Sequence, residues 1–163
     1  MKINYLYILL TVTLIYSCSS GPDRPVKNPL FDDGYFVTNE GNFGSGNGSV
    51  SFISNNGSVQ NDVFYNTNMF YLGDVVQSMT TANDKGYIVV NNSGKVEVVD
   101  MDSMNHIKTI ENVGSPRYFT QVSQDKAYLS DWNTNSVHII DLITDNVLGS
   151  ISAVSYTHLT LPT

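Results

Sequence analysis

Side chains able to carry covalent or metal chemistry are sparse in this chain, and their spacing argues against both. His106 and His138 fall in separate strand-like runs, and neither forms an HxxxH pair or neighbours a cysteine. No group of histidines and acids has metal-ligand spacing, which in zinc sites means closely spaced pairs. Ser45-Gly46-Asn47-Gly48 lacks the strand–turn–helix setting of a nucleophile elbow, and Gly41-Asn42-Phe43-Gly44 precedes no helix that could cradle phosphate. No catalytic residue, metal or cofactor is expected.

Recognition chemistry is better represented. Arg117 stands beside Tyr118 and Phe119, Trp132 is the sole tryptophan, and Phe43, Phe70 and Tyr71 lie in stretches rich in Asn and Gly. Aromatic rings with amides offer flat contact area and hydrogen bonds at low entropic cost, as binding surfaces generally do. The candidate ligand-binding residues are therefore Asn42, Phe43, Phe70, Tyr71, Asn92, Arg117, Tyr118, Trp132 and Asn133. Plainer readings compete: Trp132 packed between sheets, and Arg117 paired with an Asp of the next repeat rather than with an anionic ligand.

The frame that must position these residues is a repeat. Residues 126–151 read as strand, Asn-rich loop, strand ending in Asp, tight turn and strand, and residues 86–110 and 34–60 follow the same order. Tyr35, Tyr87 and Tyr128 open the three copies at steps of 52 and 41 residues, and all three are expected in the core. A period near ~40–45 residues with several strands per unit is that of a propeller blade. The third copy divides into strands at 117–122, 126–130, 136–142 and 147–151, the second into 75–81, 86–90, 95–101 and 106–111. The first shows only three, at 34–38, 49–53 and 58–64.

The expected fold is therefore all-β, a β-propeller of four-stranded antiparallel blades. The full ring is expected to hold about seven blades. This chain would be its N-terminal arc of two and three-quarter blades, at residues 31–65, 75–112 and 116–152. A missing first strand suits rings that close by borrowing a strand from the opposite terminus. In each blade, the loop entering the first strand and the loop between strands two and three share one face. Those loops, at 39–48, 66–73, 91–94, 113–116 and 131–135, are the longer ones and carry the candidates. Function concentrates in loops held by a rigid scaffold. Asp100 and Asp141, which end their strands, are expected to fix the turns that follow through bonds to backbone.

The two ends stand apart from the repeat. Lys2 and the 12-residue apolar run at 5–16 read as a signal peptide spanning 1–17; the run is too short to cross a bilayer, which takes about 20 residues. Ile15-Tyr16-Ser17-Cys18 resembles a lipobox, with Tyr16 bulkier than such signals usually carry. Cys18 is the only cysteine, so no intrachain disulfide can form, and it is the expected site of lipid attachment. Such an anchor holds a protein on a membrane without spanning it. Residues 18–30, rich in proline, read as a tether. Residues 154–163, VSYTHLTLPT, break the pattern and resemble a translated transposon-type sequencing adapter, so they and His158 are excluded from fold reasoning.

Charge narrows the partners. The net charge is −7, and loss of Lys2 with the leader would make it −8. No basic cluster offsets the acids, so nucleic acid, which demands Lys and Arg at phosphates, is not an expected partner. Abundant Asn, Ser, Gly and Tyr suit strands and turns, and no stretch repeats at helical spacing, so almost no helix is expected.

The copies resemble the YVTN-type β-propeller repeat. Its YxVTN and VSVID elements are echoed by Tyr35-Phe36-Val37-Thr38-Asn39, Val96-Glu97-Val98-Val99-Asp100 and Val137-His138-Ile139-Ile140-Asp141. More narrowly, residues 38–48 (TNEGNFGSGNG), 73–79 (GDVVQSM) and 115–119 (SPRYF) resemble YncE-like surface lipoproteins of Bacteroidetes. The resemblance covers about residues 31–152. It implies a lipid-anchored outer-membrane protein, at the cell surface or in the periplasmic leaflet, that is not an enzyme. Some of that group bind cobalamin beside a TonB-dependent transporter, which implies a small-molecule ligand such as a corrinoid and that transporter as partner. Two alternatives stand beside it: a propeller enzyme of lactonase or lyase type with catalytic residues in further blades, and a protein-interaction scaffold. One architecture serves many functions.

Overall fold

The computed structural model describes residues 30–153. The expected leader, the lipidation site at Cys18, the tether before Leu30 and the segment 154–163 lie outside them. The described chain runs β1 (Gly34–Asn39), β2 (Ser49–Ser54), β3 (Val59–Gln60), α1 (Val63–Asn68), β4 (Val76–Ala82), β5 (Lys85–Val90) and β6 (Lys95–Asp100). It continues through β7 (His106–Ile110), β8 (Pro116–Gln121), β9 (Lys126–Asp131), β10 (Ser136–Asp141) and β11 (Asn146–Ser152).

Strands pair antiparallel with their sequence neighbours to give three sheets: β1-β2-β3, β4-β5-β6-β7 and β8-β9-β10-β11. Strands such as β5 (KGYIVV) and β6 (KVEVVD) are rich in β-branched residues, which suit a pleated surface buried on both sides. Turn chemistry separates them. Asn83 and Asp84, at φ 50° and 61°, form the two-residue connection of β4 to β5, a turn whose twist matches the strands. Asp100 Oδ1 accepts from the N–H groups of Asp102 (3.1 Å) and Ser103 (2.9 Å), and Asp141 Oδ1 from that of Ile143 (2.9 Å). Both strand-ending aspartates thus hold their turns as their sequence context predicts.

The sheets stack face to face around their first strands, as blades do. The Ser78 and Thr80 hydroxyls of β4 donate to the Arg117 and Phe119 carbonyls of β8, at 2.8 and 3.0 Å. One apolar cluster between the second and third sheets holds Tyr87, Val89, Val96, Val98, Phe119, Leu129 and Ile140. Another between the first and second holds Val50, Phe52, Phe64, Ile88, Val90, Val99 and Met104. Each such side chain, fully buried, contributes about 1.5–3 kcal/mol of transfer free energy. On the face away from the long loops, Asp145 joins the second and third sheets: it accepts from Tyr87 Oη (2.7 Å) and pairs with Lys85 Nζ (2.6 Å). Burial first, then this bond, pushes the Tyr87 phenol far up. The described residues are an arc of a β-propeller, two four-stranded blades and one of three strands.

Two expectations from sequence are corrected. The strand expected at 58–64 pairs only over Val59–Gln60, and the chain then turns at Asp62, held at φ 54°, into helix α1. Alternation in a strand would have buried only one of Val63 and Phe64 on a given face, whereas the helical turn buries both, to 3 % and 1 % exposure. The second correction concerns Tyr35, which is 68 % exposed while Tyr87 is fully buried. Tyr87 lies opposite Val98, and the residue opposite the equivalent Phe52 is Phe36, not Tyr35. The sequence alignment of the first repeat was therefore one residue out of step, and a one-residue slip moves a side chain to the other face of a sheet. Phe36 is the core residue, packed with Phe31 and Phe52 at centroid distances of 5.4 and 5.0 Å.

Candidate ligand-binding face

The long loops meet on one face, and hydrogen bonds tie them into a continuous rim. Gly48 N donates to Gly73 O (3.0 Å), which brings the loop before β2 to the segment entering β4. Asp74 Oδ2 then accepts from Gly44 N (2.8 Å) and from Asn92 Nδ2 (2.5 Å), while Ser93 Oγ receives the Asp74 N–H (2.9 Å). Asn91 Nδ2 reaches the Pro116 carbonyl (2.8 Å), crossing to the third blade. Beside Asp74, the β-branched Val75 is held at φ 59°, a strained conformation fixed by the Asn91 N–H on its carbonyl (2.8 Å).

Asp131 is the second clamp. Its carboxylate accepts from the N–H groups of Ser115 (2.9 Å), Asn133 (2.9 Å) and Thr134 (3.3 Å), from Thr134 Oγ1 (2.6 Å), and from His138 Nε2 at 3.1 Å. The Ser115 carbonyl in turn accepts from Trp132 N (3.0 Å). One buried carboxylate thus fixes both the segment that leads to Arg117 and the loop that carries Trp132. Gly114, at φ 65°, passes so close to it that an added Cβ would overlap the Asp131 carboxylate.

The electrostatics follow from these donors. Burial raises the Asp131 carboxyl, but the Thr134 hydroxyl, the Ser115 N–H, His138 and the Thr134 N–H outweigh it and hold the group below the usual carboxylate range. Asp74 is also held low, chiefly by the Asn92 amide, with burial opposing and the N–H groups of Gly44, Gly46 and Val75 assisting. Both clamps stay ionised at neutral pH and keep their donors.

On this frame the Arg117 guanidinium lies over the Trp132 ring, 4.9 Å from its centroid. Trp132 is 69 % exposed, so it is not packed between the described sheets. Among the described residues Arg117 makes no ion pair, and the sheet after its own, whose Asp the other reading would pair it with, lies outside them. Tyr118 is exposed, and Asn133 follows in the Trp132 loop. Asn92 belongs to the Asp74 clamp. Asn42 shapes its loop by donating its N–H to Asn47 Oδ1 (2.8 Å), and Phe43 beside it is 80 % exposed.

Two candidates sit elsewhere. Phe70 packs against Phe64 of α1 and His106 of β7, with centroids 5.0 and 5.3 Å away. Tyr71 stacks on Tyr65 at 4.4 Å. The loop expected at 66–73 is partly helix, and it gives these two rings partners in α1 and β7 rather than the Arg117–Trp132 stack. Asp74 and Asp131 were missed by sequence reasoning. For Asp131 the readable signal was an Asp opening a loop with Asn and Thr two and three residues on, the pattern of side-chain-to-backbone turns; the Val-Val-Gln that follows Asp74 carries no such signal. No cluster of three His, Cys, Asp or Glu among the described residues could hold a metal.

Fold and face together define a β-propeller whose blade-connecting loops form one braced, aromatic rim. The chain belongs to the family described as a domain of unknown function, DUF5074, whose profile matches residues 33–160. No curated protein matches it in sequence. Among solved structures it is similar to hydrazine synthase of Kuenenia stuttgartiensis, with 17 % identity and a TM-score of 0.61, over 86 % of this chain and 40 % of that one. It is also similar to a chain of the nidogen/laminin complex, with 16 % identity and a TM-score of 0.56, over 73 % and 43 % of the two chains. The chain spans about two fifths of the length of these structures, and at such identities the likeness concerns the fold.

Proposed function

We propose that this chain belongs to a lipid-anchored β-propeller that captures a small nutrient on its loop face and passes it to an outer-membrane TonB-dependent transporter. The observation that carries the reading is the Arg117–Trp132 stack, a half-buried cation over an exposed aromatic ring that no carboxylate of the described residues neutralises. A flat partner with an anionic or amide-rich edge would lie along that ring and meet the guanidinium, an arrangement that binds more strongly once desolvated. A corrinoid has that chemistry, a planar ring fringed with amides and a phosphate in its nucleotide arm. The same ligand is implied by the likeness of residues 38–48, 73–79 and 115–119 to surface lipoproteins. Anchorage would be at Cys18, at the cell surface or in the periplasmic leaflet, and the face would bind without catalysing a reaction. Phe43, exposed on its glycine-rich loop, favours a second use of the same rim as the contact with the transporter.

Calorimetric titration of the full chain with cobalamin tests the proposal. Wild-type binding weakened at least ~10-fold by Trp132→Ala and by Arg117→Ala, each a loss of about 1.4 kcal/mol, would support it. Folded protein that gives no binding heat with cobalamin would remove the corrinoid reading.

A further inference from the structure

Helix α1 and its flanks build a second concave feature that the Arg117–Trp132 face does not include. A cavity of about 320 Å³ lies between the end of the glycine-rich loop, the start of β2, α1 and the segment that returns from α1 to β4. Its apolar part is made by Val50, Phe64 and Leu72, each at most 2 % exposed. Tyr65 and Tyr71 stand beside them as a stacked pair, with planes 22° apart. Polar groups complete the lining: Asn47, Ser49, Asp62 and Asn66. The Asp62 carboxylate has no hydrogen-bond or ion-pair partner among the described residues. No Lys, Arg or His lines the cavity.

The cavity's shape is maintained at a conformational cost. Asp62 and Met69, which bracket α1, are both non-glycine residues in the left-handed region, at φ 54° and 61°. Such conformations persist where the surroundings over-determine them, and they cluster at binding sites. Asn68 fixes the far end of the helix through the Met104 carbonyl (2.9 Å) and the His106 N–H (2.8 Å). The wall of the cavity is thereby tied to the second blade rather than left as a loose insertion.

We propose that this cavity binds a neutral, polyhydroxylated small molecule of monosaccharide size. Its volume is at the lower end of the range for ligand pockets, about 300–1,000 Å³. The tyrosine pair offers a flat apolar wall for the C–H face of a pyranose ring, while amides, a hydroxyl and a free carboxylate accept and donate to hydroxyl groups around its edge. The exposed Asp62 carboxylate and the absence of a lining cation disfavour phosphorylated or acidic sugars, whose charge would face a like charge. This site is independent of the corrinoid reading, since none of its lining residues touches Arg117 or Trp132.

The test is ligand-observed NMR on the full chain with glucose, galactose, mannose and N-acetylglucosamine, with glucuronate as the charged control. At least one neutral sugar should bind with a dissociation constant near or below ~10 mM, the range of a small polar ligand with few contacts. That binding should weaken at least ~10-fold in Tyr71→Ala, vanish in Asn47→Trp, which fills the cavity at the cost of the Asn42–Asn47 loop bond and leaves the buried lining intact, and persist in Trp132→Ala. Glucuronate should bind less than any neutral sugar that binds. Failure of all four neutral sugars at ~100 mM, stronger binding of glucuronate, or binding that survives Asn47→Trp would overturn the proposal.

Discussion

Asp131 shows how much of the face depends on one side chain. Its five donors come from two loops and from β10, and the Trp132 and Arg117 segments lose their common brace if it is removed. Asp131→Ala should destabilise the chain by about 2–4 kcal/mol in urea melts, because buried donors are left without an acceptor. The pH dependence has a definite sign. The folded carboxyl lies below its unfolded value of about 3.9, so its stabilisation is complete above that value and is lost as pH falls through the lower folded value. The urea midpoint should therefore fall below about pH 4, and Asp131→Asn should flatten that fall; an unchanged slope would refute the assignment. At this scale sequence was informative about display and silent about support. Arg117 and Trp132 stood out by rarity, whereas Asp131 was one acid among fifteen, and only its fold brings Ser115 and His138 to it.

Blades were legible as elements because each strand is short, β-branched and closed by an Asn, Asp or Gly turn. Their phase was less legible. Two adjacent aromatics open β1, and nothing local says which of Tyr35 and Phe36 faces the second blade; the pairing of Phe36 with Phe52 decides it. Phe36→Ala should cost about 2–3 kcal/mol, and Tyr35→Ala less than about 0.5 kcal/mol, in thermal or urea melts. Equal costs would mean that the assigned register is wrong. Helix α1 was invisible to periodicity because six residues cannot show a helical period, and such a length does not stabilise itself in water. It exists because Val63 and Phe64 are both buried there and because Asn68 bonds to the second blade.

As a whole, the molecule is a stack whose members are equivalent position by position. Ile88 and Val99 of the second blade are fully buried against the first, and the register makes Val37 and Ile53 their counterparts in the first blade. Those two are 39 % and 36 % exposed. At the other end Ile151 of β11, counterpart of the 3 % exposed Ile110, is 50 % exposed. One outer face is thus of the kind that receives a blade, and the other of the kind that is received. Such surfaces are complementary to each other but not to themselves, so contact between two copies would be heterologous, head to tail, with no two-fold axis. A further blade, of the same chain or of a second copy, would find the same two kinds of surface. Association in sedimentation experiments should then grow with concentration past the dimer, and Val37→Asp with Ile53→Asp should stop it by blocking one end. A chain that halts at a symmetric dimer would contradict this, while an open series would mean that the repeat encodes polymerisation polarity as well as a fold.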